Sequence, residues 1–316
     1  MSEILRLSPA FKDYLWGGSI IKEKFQISDM DKVAEAWVLS THKDGQSRVV
    51  GGSLSGKTLT ESISILGNSA LGENAQDFEM FPQMLKIIDA EQSLSIQVHP
   101  SDQYALENEG QYGKTEMWYI LDAKPGAGIY YGVKEECTKE ELQNAIKNDK
   151  IQDILRFVPC KKSESYFIPS GTIHAIGAGL LIAEIQQNSN VTYRVYDFGR
   201  VGADGKPREL HTQKALTVSS LSPMQDQALK KAEEIPFGTK TLLSTCPYFE
   251  AVKVSISGKY TLTPDNSFAC VFILEGEGEI EGEKFSRFDT FFVPADYGDT
   301  LIKGDFEAMI TYCPGK

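Results

Sequence analysis

Apolar and polar positions alternate over short runs through most of this chain, the two-residue period of half-buried strands, with turn residues between the runs. Within residues 7–50, Tyr14-Leu-Trp-Gly-Gly18 and Val33-Ala-Glu-Ala-Trp-Val-Leu-Ser-Thr-His42 read as strands and tight loops. Leu59 to Leu71 changes period: Thr60 stands ahead of Ile63, Ile65 and Leu66, predicting a helix ended near Gly67 or Gly72. From Leu85 the chain turns β-rich, with Leu85-Lys-Ile-Ile88, Leu94-Ser-Ile-Gln-Val98 and Met117-Trp-Tyr-Ile-Leu121. Thr138-Lys-Glu-Glu141 interrupts it as a capping box that opens a helix through roughly Asn148, with a second helical turn at Ile151 to Phe157. Strands resume at Ser165 and run to about Asp197.

A connector over about 211–235 holds Gln213-Lys-Ala-Leu216 and the charged run Lys230-Lys-Ala-Glu-Glu234, and a second β-rich segment follows. That segment repeats the first. Tyr119-Ile-Leu-Asp122 matches Phe272-Ile-Leu-Glu275, and Tyr166-Phe-Ile-Pro169 matches Phe291-Phe-Val-Pro294. The interval between the paired motifs is longer in the first copy by about the length of the helical insertion, about 137–158. The expected architecture is therefore mainly β, with two barrels of one type, the first carrying that insertion and a short helical connector. The expected domains are 1–235, including the insertion and connector, and 236–316.

Composition narrows the function. A 41% hydrophobic and 24% charged chain is an ordinary soluble globular one. No segment reaches the ~20 apolar residues of a membrane span, and the N-terminus lacks a basic stretch before an apolar core, so a cytoplasmic protein without membrane contact is expected. The five cysteines are scattered without a Cys-x-x-Cys pair and are expected as reduced thiols. A net charge of −12 argues against nucleic acid; an anionic small substrate would need its own cluster of Lys and Arg.

One stretch carries chemistry. Gln97 and His99 are two apart and project from one face of a strand, Glu116 stands on a second strand, and His174 follows a third extended run. Imidazole, carboxylate and amide ligands without thiolate suit Zn²⁺ or a similar divalent ion with room left for substrate. The second copy has Ala269 where the first has Glu116, Asp299 where it has His174, and no histidine at all. It is expected to be a structural or dimerising lobe without metal ligands, and a homodimer stays open. A lone histidine is more often core or surface, so His42 and His211 are read that way, although His42 could edge the pocket. Arg194 could equally pair with Asp197 or Glu184 on the surface. The glycines of Gly276-Glu-Gly278 and Gly282 stand among carboxylates and read as hairpin turns, because carboxylates would repel a phosphate.

Trp16-Gly-Gly18, Glu35-Ala-Trp37, Leu94-Ser-Ile-Gln-Val-His-Pro100, Gly113-Lys-Thr-Glu-Met-Trp-Tyr-Ile120, Pro169-Ser-Gly-Thr-Ile-His174 and Asn190-Val-Thr-Tyr-Arg-Val-Tyr196 together give the chain its family likeness. It resembles type I mannose-6-phosphate isomerases of the short bacterial kind, zinc enzymes of the cupin superfamily. The resemblance covers nearly the whole chain and implies two cupin jelly-roll barrels. It implies one Zn²⁺ held by Gln97, His99, Glu116 and His174, a sugar phosphate as substrate, and Arg194 as the catalytic arginine. Lys86, Ser95 and Lys114 would line the substrate pocket, with Arg200 as a further contact. The longer enzymes of the family carry an acidic residue four places before the arginine; here that position is Asn190, so a scheme with that carboxylate as base does not carry over.

Strand parity places Ser95 on the ligand face, and Lys86 on the preceding strand suits a phosphate site. Arginine keeps its proton in proteins and is a poor base. Lys114, two residues from Glu116, would have its pKa lowered by a metal cation and is read as a proton-transfer group, with a zinc-bound water as rival. The expected reaction interconverts D-mannose 6-phosphate and D-fructose 6-phosphate through an enediolate. A cupin oxygenase using Fe²⁺, for which the site is poor in histidine, and a sugar-binding cupin without turnover are the alternatives.

Overall fold

The computed structural model describes residues 2–202, 205–225 and 230–315. It is mainly β, as expected, and its contacts group into two compact units: residues 1–10, 37–85 and 228–316, and residues 11–36 and 86–227. The expected boundary near 235 is a cut along the chain; grouped by contact, two N-terminal segments accompany the C-terminal one.

In the first unit an antiparallel sheet runs in the order Ala232–Ile235, Gly238–Thr245, Glu250–Leu262, Thr300–Tyr312, Ala269–Ile280, Thr290–Val293, Leu5–Ser8 and Arg48–Val50, with Glu283–Ser286 beside Ala269–Ile280. Alternate positions Val252, Val254 and Ile256 join Val271, Ile273, Phe291 and Ile310 in one apolar core. The second unit holds two sheets. One runs Ser165–Ile168, Glu116–Ala123, Leu180–Gln187, Gln83–Ala90, Glu35–Leu39, Ala10–Lys12; the other runs Tyr193–Tyr196, Ile96–Val98, His174–Ile176, Gly128–Val133, Leu155–Pro159. Between them lies a core of Ile88, Trp118, Ile120 and Ile182 against Ile129, Tyr131 and Ile176.

The five-stranded sheet is apolar on its other face too. Ile96, Val98, Val133, Ala175, Tyr193 and Val195 pack there against Leu142 and Ile146 of the helix Lys139–Lys147, Ile151, and Ala215 and Leu216 of the helix Thr212–Val218. The inserted helix buries Leu142, Ala145 and Ile146, one helical face at i, i+3 and i+4, behind the expected capping box between Thr138 and Glu141. The insertion is not all helical. After the single turn Ile151–Ile154 the chain becomes the edge strand Leu155–Pro159, paired antiparallel with Gly128–Val133, with Leu155 buried and Val158 packed against the core.

The early helix is Leu59–Leu66, capped by Thr58 rather than Thr60, with Glu61 closing the box; Gly67 at φ 82° ends it. Short helices Ile20–Phe25 and Asp102–Glu109 were not expected. In the connector the described part is the helix Thr212–Val218 and the strand Ala232–Ile235, while 226–229 lie outside the described residues. The cysteines are free; Cys160, Cys270 and Cys313 are buried. Among the described residues no helix is long and apolar enough to cross a membrane.

The repeat is visible in the strand registers. Glu116 pairs with Ile168 and Gln186 as Ala269 pairs with Val293 and Tyr312, and Trp118 opposite Glu184 corresponds to Val271 opposite Ile310. Two carboxylates of the first copy thus become alanine and isoleucine in the second, and Asp299 accepts a hydrogen bond from Thr263.

Candidate metal centre and substrate cavity

Within the strand Ile96–Val98, Ile96 and Val98 face the helices, which turns Gln97 to the opposite face. Gln97 is directly paired with His174 on one neighbour and with Arg194 on the other, so these three side chains form one row across three strands. His99 and Glu116 complete the group: donor atoms of His99, Glu116 and His174 all lie within 4.8 Å of one another, fully buried. His174 Nε2 stands 3.3 Å from Glu116 Oε1, and His99 Nε2 stands 3.6 Å from Glu116 Oε2.

The turn before His174 is tied to the His99 strand, since the Gly171 N–H donates to the His99 carbonyl. Gly171 itself sits at φ 87°, with Val218 O where a side chain would begin, so only glycine fits without strain. Each imidazole has its Nδ1 against a backbone carbonyl, His99 against Val191 O at 2.8 Å and His174 against Thr172 O at 2.9 Å. A carbonyl can only accept, so both Nδ1 atoms carry the proton and both Nε2 lone pairs face Glu116. His174 Nε2 and Glu116 Oε1 are buried without a hydrogen-bond partner.

Burial, with the Lys114 charge close by, holds His99 well below its usual pKa, and the same causes take His174 down to about 4. Both rings are therefore neutral, as ligands must be. Burial and the nearby Glu184 charge push Glu116 above the ordinary carboxylate range despite the pull of Lys114. The cluster is short of positive charge. Neutral imidazoles with their Nε2 lone pairs turned to a buried carboxylate, and an adjacent amide, are a donor set that fits a divalent cation.

Beside the cluster is a cavity of about 270 Å³, whose polar lining includes Glu35, Lys86, Ser95, Gln97, Lys114, Glu184, Arg194 and Arg208. Four cations against two carboxylates make this lining basic in a protein of net charge −12, the local cluster an anionic substrate requires. Tyr14 and Trp16 form part of its wall, and close backbone approach places them: a Cβ on Gly17 would meet the Ala34 backbone at 2.6 Å and one on Gly18 would meet Asp89 at 2.5 Å.

Lys114 Nζ lies 2.6 Å from Glu116 Oε2, 3.2 Å from His99 Nε2 and 3.4 Å from Glu184 Oε1. Burial works to lower its pKa, yet Glu116 and Glu184 outweigh that and hold it above the usual lysine value. The lowering expected from a neighbouring cation is thus opposed by two carboxylates. Lys86 lies 3.5 Å from Glu35 and 3.7 Å from Glu184, and Glu184 accepts a 2.8 Å hydrogen bond from the Trp118 indole. Burial opposes ionisation of Glu184, but Lys114 and Lys86 keep its pKa low.

The structure thus brings Lys86, Ser95, Gln97, Lys114 and Arg194 to one cavity, with His99, Glu116 and His174 behind it. Arg200 is not among the lining residues; its guanidinium is bound to Asp197 and donates to Ser93 O at 2.6 Å. Arg208, unremarked in the sequence, lines the cavity. Glu184, read as a candidate surface partner, is a buried wall residue. His42 is not in the lining and packs edge-on to Trp37. A charged residue inside an otherwise apolar strand, Glu184 between Ala183 and Ile185, was the available signal for its burial.

The phosphomannose isomerase type I catalytic domain matches residues 4–130, and the mannose-6-phosphate isomerase cupin domain matches 238–313. Mannose-6-phosphate isomerase ManA of Bacillus subtilis is 37% identical, covering 98% of this chain and 99% of its own. Mannose-6-phosphate isomerase of Streptococcus mutans is 34% identical over 99% of both chains. The crystal structure of the mannose 6-phosphate isomerase from Bacillus subtilis superposes with a TM-score of 0.90 at 34% identity, covering 98% of this chain and 99% of that one.

Proposed function

The chain belongs to the type I phosphomannose isomerase family, an enzyme family with a cupin fold, and from that premise we propose that it interconverts mannose 6-phosphate and fructose 6-phosphate at one zinc ion held by Gln97, His99, Glu116 and His174. The observation that carries the metal reading is the pair of histidines whose Nδ1 atoms are committed to backbone carbonyls while both Nε2 atoms converge on a buried carboxylate.

Taking a proton from the carbon next to a sugar carbonyl and returning it to the carbonyl carbon itself builds negative charge on the sugar oxygens in between. A zinc ion held by Gln97, His99, Glu116 and His174 would supply Lewis-acid stabilisation of that charge. Arg194 adds a fixed cationic donor on the same row as Gln97 and His174. Lys114, kept charged by Glu116 and Glu184, holds and delivers a proton at a sugar oxygen. Glu35 and Glu184 hold the Lys86 ammonium at the wall, where it and Ser95 bind the substrate. Trp16 and Tyr14 limit the entry of water from their side.

The deciding experiment follows fructose 6-phosphate formation from mannose 6-phosphate before chelation, after it, and with zinc restored. Turnover that disappears and returns supports the proposal; no turnover by metal-replete protein overturns it. Oxygen consumption would instead mark an oxygenase. Lys86→Ala is expected to raise KM about tenfold or more while kcat falls far less, because a hydrogen bond to a charged group is worth roughly 1.5–3 kcal/mol. An unchanged KM would remove Lys86 from the substrate site.

A further inference from the structure

Two groups of charged residues in and beside the cavity differ in charge balance. At the metal end the ammonium groups of Lys86 and Lys114 are interleaved with Glu35, Glu184 and Glu116. Two cations against three carboxylates leave no surplus positive charge there for an anion, and such a surface suits sugar hydroxyls. Around Asp197 the cations predominate: Arg200 and Arg208 both contact this one buried carboxylate, Arg194 stands near it, and the further acid beside Arg194 is the exposed Glu209. Arg194 gives one hydrogen bond to Glu209 O at 2.9 Å, its buried Nε has no partner, and among the described residues it makes no ion pair.

Arg208 is held from one side only. Its Nε donates to Asp197 Oδ2 at 2.7 Å and its Nη2 to Asp197 Oδ1 at 2.6 Å, the two-pronged contact that fixes a guanidinium plane. That contact leaves the Nη1 edge for a second acceptor. Asp197 is buried and steadied in turn by Arg200, which also bonds Ser93 O next to the cavity residues Leu94 and Ser95. A carboxylate shared by two arginines cannot neutralise both, so positive charge is left over to receive an anion, and a phosphate monoester is one that matches a guanidinium edge.

We propose that Arg208, aimed by Asp197 and Arg200, is the residue of this cavity that grips the substrate's phosphate group and so sets the preference for phosphorylated over free sugar. The proposal rests on the isomerase reading for its substrate, and on the juxtaposition of three guanidiniums with one buried carboxylate for its residue. In this arrangement Arg200 is a positioning residue, acting through Asp197 rather than touching the ligand.

The test uses zinc-loaded protein and two readouts, turnover of mannose 6-phosphate and calorimetric titration with inorganic phosphate. Arg208→Gln is expected to raise KM and weaken phosphate binding each by about 10- to 100-fold, with a much smaller fall in kcat and unchanged zinc content. Arg208→Lys, which keeps the charge but not the planar fork, is expected to fall between wild type and Arg208→Gln. Asp197→Asn, which leaves Arg208 charged but weakly aimed, should also weaken phosphate binding. A purely structural role would lower Tm in all three variants without moving phosphate affinity. Wild-type KM and phosphate affinity in Arg208→Gln or, should that variant not fold, in Arg208→Lys overturn the proposal. If wild-type protein binds phosphate but does not isomerise mannose 6-phosphate, the isomerase reading fails, and the phosphate titrations still decide Arg208.

Discussion

Glu116→Gln is expected to give a folded protein that no longer retains zinc and forms fructose 6-phosphate on the order of 10³-fold more slowly, since a metal Lewis acid contributes several kcal/mol at the transition state and each ~1.4 kcal/mol is tenfold. The substitution keeps the side chain's shape. It removes the charge on which both Nε2 lone pairs and Lys114 converge. Lys114 retains Glu184, so the fold has a partner for its buried ammonium, and a lowered Tm of the metal-free protein is the expected structural effect. Metal analysis alongside steady-state kinetics checks the prediction. Full zinc content with wild-type kcat would show that Glu116 is a structural partner of Lys114 and not a ligand.

Arg194→Gln should act on kcat rather than on metal content. Its place opposite Gln97 aims a cation at the oxygens where charge develops, and losing one such donor costs roughly 10²- to 10³-fold in kcat. Arg194→Lys is expected to recover little, because an ammonium cannot reproduce the planar donor set and Glu209 O would lose its bond. Burial and the neighbouring Arg208 already weaken the arginine's hold on its proton, which marks a charge held without full compensation. A variant with normal kcat and a raised KM would move Arg194 from the reacting end to substrate binding.

Residues that depend on local periodicity were legible in the sequence. The capping box at Thr138 and the replacement of Glu116 by Ala269 in the second copy follow from spacing within one or two elements. What escaped depends on contacts between distant segments. Leu155–Pro159 follows a helix directly, and its neighbour Gly128–Val133 decides its state. Arg200 and Arg208 look alike in sequence; only the Ser93 carbonyl draws one away while Asp197 holds the other at the cavity. Thr58 and Thr60 are equally good caps by type, and the chain's entry geometry selects Thr58.

The pairing of Leu5–Ser8 with Thr290–Val293 has a consequence for biosynthesis. Leu5–Ser8 is synthesised long before its partner Thr290–Val293, so the large sheet of the first unit cannot close until that later strand has emerged. The cluster residues from Gln97 to His174, and the arginines as far as Arg208, emerge well before that point. The cluster and cavity residues are made early and this strand pairing late, so a chain stopped before Thr290 would expose the edge of Leu5–Ser8 to pairing with other chains.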